Sequence, residues 1–180
     1  MLRTEGYDVV TASNGKECLM RLKEEKKIDL ILLDVMMPEM DGWETLRKIR
    51  ESKNKIPVAM LTAVPFSLRI IEKEEIEGIV DYIQKPFTRS VLIDKIRKLL
   101  NHFEEVKEKM EKLASIMGKE TAEEYENLLR ARTFHQNLLN LLSNLVDRND
   151  RALRNVLSNE SHLIEVINER ITEIERSLEE

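Results

Sequence analysis

The chain holds a single cysteine, Cys18, in 180 residues, which excludes an internal disulfide framework and a cysteine-based zinc site. Aromatic residues are scarce at 4%, yet hydrophobic residues reach 42%, too many for a disordered chain. Long apolar runs are missing. Uncharged stretches extend for about a dozen residues, and a membrane helix needs roughly 20 apolar ones. The opening Met1-Leu2-Arg3-Thr4-Glu5-Gly6 has no apolar core of a signal peptide. A basic excess is also missing: 29 Lys and Arg against 34 Asp and Glu give a formal charge of −5. Neutralising phosphates needs a basic face. The expectation is a soluble, cytoplasmic protein with no membrane or nucleic-acid partner.

Proline and glycine are few and unevenly placed. Pro38, Pro57, Pro65 and Pro86 and four of the five glycines lie in the first hundred residues, and Gly118 is alone in the rest. The first part is close to neutral, with 18 basic and 17 acidic residues, and the second is acidic, with 11 and 17. This divides the chain into a turn-rich mixed domain, 1–102, and a helical region, 103–180.

In the first part, Tyr7 to Ala12 alternates and is rich in β-branched residues, which predicts a strand. Asn14-Gly15 opens a helix to about Lys26. Ile28 to Val35 and Ile56 to Ala63 are apolar runs of the kind buried on both faces of a parallel sheet. Helices are expected over Trp43–Glu51 and Ser67–Glu77, a strand over Ile79–Gln84, and a helix from about Arg89 onward. Strands alternating with helices of this length mean a parallel α/β sheet.

Chemistry in such sheets sits beyond the carboxyl ends of the strands. Asp34, Thr62 and Lys85 occupy that position on three successive strands. An acid, a hydroxyl and an ammonium on one edge could bind an anion or a metal, or carry a phosphoryl group. The carboxylate would then be the nucleophile, and the other two would hold phosphoryl oxygens.

Asp34-Val35-Met36-Met37-Pro38-Glu39-Met40-Asp41-Gly42, Leu61-Thr62-Ala63 and Asp81-Tyr82-Ile83-Gln84-Lys85-Pro86-Phe87 together resemble the receiver domain of two-component response regulators. The resemblance covers residues 1 to about 102. It implies a flavodoxin-like fold, with Asp34 as phosphoacceptor from a sensor histidine kinase. Thr62 would be the switch hydroxyl, Lys85 the ammonium pairing with the phosphoryl group, and Tyr82 the aromatic that moves with Thr62. Magnesium would be the cofactor, with Asp34 and the Met36 backbone carbonyl among its ligands. Such a chain is a phosphoprotein and not an enzyme.

The resemblance also marks a gap. Receivers begin with a strand that delivers an acidic pair to the magnesium, followed by a first helix. Here Met1 to Tyr7 looks like the exit of that helix, so roughly 20 residues are absent in front. The absent strand belongs between residues 7–12 and 28–35, where an open cleft with two unpaired edges is expected. Glu39, Asp41 and Asp8 do not replace the missing acids. Either the gene is longer than this chain, or the chain is a degenerate receiver that only assembles.

In the second part the periodicity predicts helices at about 103–117, 121–147 and 150–180, with Thr121 as a cap. Ala131, Phe134, Leu138, Leu141 and Leu145 form a heptad seam, and so do Leu153, Leu157, Ile164, Ile167, Ile171, Ile174 and Leu178. Charged Glu160 is the one lapse. The expectation is a helical hairpin or coiled coil that covers its apolar stripes by homodimerising or by binding a protein partner. His135, within Phe134-His135-Gln136-Asn137, is weakly similar to a histidine kinase phosphoacceptor box. It is expected to be a helix-surface residue, with a phosphorelay from Asp34 to His135 as the alternative. Cys18 lies on an apolar helix face and reads as core.

Overall fold

The computed structural model describes residues 1–25, 27–63, 79–143 and 151–178. They form two compact units, one through Leu100 and one from Asn101 on. The first unit is built on a parallel sheet of β1 (Ile31–Asp34), β2 (Val58–Thr62) and β3 (Ile79–Gln84), in that spatial order. β2 is central. Its Val58, Ala59 and Met60 are fully buried, as a strand covered on both faces requires.

Helices α1 (Gly15–Glu24) and α2 (Gly42–Glu51) pack together. Each has a side-chain cap: Asn14 Oδ1 accepts from the Glu17 amide at 2.9 Å, and Asp41 Oδ1 from the Glu44 amide at 2.8 Å. α2 turns Leu46 and Ile49 inward at helical spacing. α3 (Arg89–Met117) lies against the opposite side of the sheet. The alternation of β3 shows this. Tyr82 meets Trp43 of α2, ring centroids 6.2 Å apart, whereas its neighbour Asp81 takes the Lys95 ammonium of α3 at 2.5 Å. Adjacent strand residues point to opposite faces. The sheet is therefore sandwiched between helical layers.

Two sequence expectations are corrected here. Tyr7–Ala12 forms no strand: no ladder bond joins it to any described residue, and extended chain without a neighbour is not a sheet element. The Ile28–Val35 run yields strand only from Ile31. There the Ile31 amide donates to Pro57 O at 2.9 Å, and Pro57, lacking an N–H, returns no bond toward residues 28–30. The helix expected over Ser67–Glu77 lies outside the described residues.

The second unit contains the later turns of α3 together with α4 (Lys119–Ser143) and α5 (Arg151–Arg176). Leu113, Ala122, Tyr125, Leu129, Ile167, Ile171 and Ile174 form one buried cluster drawn from all three helices. The expected helical hairpin is α4 packed against α5, and α3 joins it as a third helix of the same cluster. The apolar stripes of α4 and α5 are covered in part by α3 of the same chain. Thr121 is not a cap. Gly118 breaks the chain at φ +92°, α4 starts at the next residue, and the Thr121 hydroxyl donates back to Met117 O at 3.4 Å. Among the described residues no helix is long and apolar enough to cross a membrane.

Candidate functional site

β1, β2 and β3 end at the same edge of the sheet. The register sets Asp34 beside Leu61 and Thr62 beside Gln84, so Asp34, Thr62 and Lys85 leave three adjacent strand ends. The backbone ties the last two together, the Lys85 amide donating to Thr62 O at 2.7 Å. Asp34 and Lys85 stand two strands apart, about 10 Å at sheet spacing, a gap the lysine stem crosses. The Lys85 ammonium donates to Asp34 Oδ2. On the other side, the Met36 amide donates to Asp34 Oδ1 at 3.1 Å. Both carboxylate oxygens are thus oriented while a third of the side chain stays open to solvent.

The loop after β1 is shaped to hold this carboxylate. The Gly42 amide donates to Val35 O at 3.0 Å, and a Cβ at Gly42 would lie 2.3 Å from the Asp34 carbonyl oxygen. Only glycine lets α2 start this close to β1. Glu39 adopts φ 63° and turns to Asn14 Nδ2 and Lys16, while Asp41 is used as the α2 cap. Neither joins Asp34, as the sequence expects. Thr62 and Tyr82 are buried at 5% and 6% exposure, and Tyr82 is packed against Trp43. The Lys85–Pro86 peptide bond is cis.

The magnesium implied by the resemblance would find the Asp34 carboxylate and the Met36 carbonyl. Among the described residues no group of three acids, histidines or cysteines joins them. Receiver domains generally bind magnesium, and this carboxylate and carbonyl would supply two of the oxygens that ion needs. The described residues set a carboxylate with both oxygens held beside an ammonium and a buried hydroxyl.

Outside this edge, His135 is not the expected surface residue. Its Nδ1 lies 2.6 Å from Glu160 Oε2, both side chains are less than 20% exposed, and the Phe134 ring meets the imidazole edge to face. The sequence pointed to this pair without resolving it. A charged residue in an apolar seam needs a partner, and the polar residue on the facing helix supplies one. The Tyr125 hydroxyl donates to Glu175 at 2.6 Å, and Lys109 reaches the same oxygen at 3.1 Å. The tyrosine hydrogen bond foremost holds the Glu175 carboxyl below its ordinary range. Cys18 is half-buried, and burial raises its thiol pKa, which suits packing and not reactivity.

A family model described as the response regulator receiver domain matches residues 1–97. The transcriptional regulatory protein CpxR homolog of Haemophilus influenzae is 45% identical over 100 residues, covering 56% of this chain and 42% of that protein. The alkaline phosphatase synthesis transcriptional regulatory protein PhoP of Bacillus subtilis is 39% identical over 103 residues, covering 57% and 42%. This chain thus spans about two fifths of the length of these curated relatives. Among solved structures, a CheY-like receiver domain protein from Methanospirillum hungatei is similar at 31% identity and TM-score 0.52, covering 58% of this chain and 82% of that one.

Proposed function

Over residues 1–97 the chain belongs to the response regulator receiver domain family of two-component signalling, and from that premise we propose that Asp34 accepts a phosphoryl group from a sensor histidine kinase and thereby switches the helical unit. The observation that carries the reading is the Lys85 ammonium on Asp34 Oδ2, across three strand ends. In the step proposed, a carboxylate oxygen of Asp34 attacks phosphorus of the kinase phosphohistidine. The P–N bond breaks, its electron pair returns to the imidazole, which takes up a proton, and an acyl phosphate forms on Asp34. The Lys85 ammonium transfers from the carboxylate to a phosphoryl oxygen, offsetting the added charge. Thr62, one strand away, supplies the hydroxyl for a second oxygen, and its movement releases Tyr82 from its packing on Trp43.

The output is assigned to protein interaction through the helical unit, because α3 carries residues of both units in one uninterrupted helix. The chain is read as a cytoplasmic phosphoacceptor and not as an enzyme. A second reading, an unphosphorylated receiver that only assembles, is favoured by the lack, among the described residues, of a group of three metal-binding side chains.

A soluble kinase core carrying radiolabelled phosphohistidine tests the two. Label should move to the chain and not to Asp34→Asn, and Lys85→Met should slow transfer about 100-fold. Equal labelling of Asp34→Asn overturns the assignment. No labelling of a folded chain establishes the assembly reading.

A further inference from the structure

Between Asp34, the last residue of β1, and Gly42, the first of α2, the chain turns back sharply. Glu39 in this loop adopts φ 63°. A residue with a Cβ disfavours that region, so the conformation persists only where the surroundings hold it. The Met40 amide closes the turn on Pro38 O at 2.7 Å. Pro38 has a fixed φ, which leaves little slack between Glu39 and Met36.

Three consecutive residues at the start of α1 hold this loop. Asn14 Nδ2 donates to Glu39 Oε1 at 3.1 Å, Lys16 Nζ reaches Glu39 Oε2 at 3.3 Å, and the Gly15 amide donates to Met40 O at 3.3 Å. The approach is close, since a Cβ on Gly15 would lie 2.7 Å from Met40 Cγ. The Lys16 ion pair is open to solvent and weak by itself. The Asn14 and Gly15 bonds are therefore the main restraints.

Asn14 performs two tasks with one amide group. Its Oδ1 caps α1 by accepting from the Glu17 amide at 2.9 Å, while its Nδ2 donates to Glu39. Exchanging the two atoms would set donor against donor and oxygen against carboxylate, so the pair of bonds fixes one orientation. The tasks also restrict the residue type. Aspartate caps a helix as well as asparagine does, but its carboxylate has no hydrogen to donate.

We propose that Asn14 is a positioning residue for phosphoryl uptake: with Lys16 it clamps Glu39, and the clamped loop keeps the Met36 amide on Asp34 Oδ1. That amide lies 3.1 Å from the oxygen and orients the carboxylate from the side opposite the Lys85 ammonium. Asn14 acts through the loop backbone, because its own amide is engaged by Glu17 and Glu39. The role rests on Asp34 being the phosphoacceptor.

The test replaces Asn14 by aspartate, which keeps the cap and sets a carboxylate against Glu39. In the full chain, Asn14→Asp should slow phosphoryl uptake from acetyl phosphate about 10-fold, read by intact mass. Exchange of the Met36 amide should quicken by a similar factor. The urea midpoint should change little, because the two residues cap alike. Adding Glu39→Gln returns a donor to the pair from the other side. Both rates should then come within about twofold of those of Glu39→Gln alone. Unchanged uptake with unchanged Met36 exchange overturns the clamp, and so does a loss that the double variant fails to reverse. A wild-type chain that gains no phosphoryl group overturns the phosphoacceptor reading and with it the role in uptake; Met36 exchange then decides by itself whether the clamp holds the loop.

Discussion

Gly42 has no side chain where one would collide with the Asp34 carbonyl oxygen at 2.3 Å and Val35 Cα at 2.9 Å. Both obstacles are backbone, so neither yields cheaply. Gly42→Ala is expected to cost about 1–3 kcal/mol, the range of overpacking, read as a lower urea midpoint. Gly15→Ala meets Thr45 Oγ1 and the Met40 side chain, which can rotate, and should cost less in the same measurement. His102 makes a residue-scale prediction of another kind. Burial, with Arg132 second, lowers its pKa from the ordinary 6.5, while Nε2 lies 3.1 Å from Thr133 Oγ1. A depressed histidine pKa means the unfolded chain binds the proton first. Stability of the helical unit is therefore full above pH 6.5 and is lost as pH falls toward the folded value. His102→Gln, which keeps a hydrogen-bonding group, should flatten the fall in urea midpoint between pH 7.5 and 5.5. An unchanged slope would place the loss elsewhere.

The elements were legible in the sequence where they bury a periodic apolar face, and less so where pairing decides. α1, α2 and the three helices of the second unit follow their stripes, and β2 follows its unbroken apolar run. Tyr7–Ala12 has the right residues for a strand, yet the alternation of Val9 and Thr11 cannot provide the neighbour that a ladder needs. The Thr121 cap failed because Gly118 at φ +92° lets α4 begin at once, an outcome set by backbone geometry and not by side-chain chemistry. Glu160, which breaks the α5 seam, is explained by His135 on α4. This pair acts between elements and has a prediction at that scale. Removing either partner leaves a largely buried polar group alone, at about 1–3 kcal/mol. Replacing both with leucine should restore stability to wild type or above. Urea unfolding of the two single variants and the double checks this, and additive losses in the double variant would refute the pairing.

On the scale of the whole molecule, the candidate site was read from sequence because its chemistry is carried by residue type at strand ends. Asp34, Thr62 and Lys85 needed only the order of the strands to fall on one edge. The contacts that orient Asp34 were only partly foreseen. Lys85 was expected there, whereas the Met36 amide was not, since its peptide group was considered for its carbonyl. The dimer expectation rested on uncovered stripes, and α3 accounts for part of that cover within the chain. The central proposal is that the Asp34 carboxylate, held at the sheet edge by Lys85 and the Met36 amide, takes up a phosphoryl group. The most direct measurement is intact mass after incubation of the full chain with acetyl phosphate, which needs no cognate kinase. The account predicts one added phosphoryl group on the chain, none on Asp34→Asn, and a markedly slower gain on Lys85→Met. A folded chain that gains nothing, or an Asp34→Asn chain that gains as much, would contradict it.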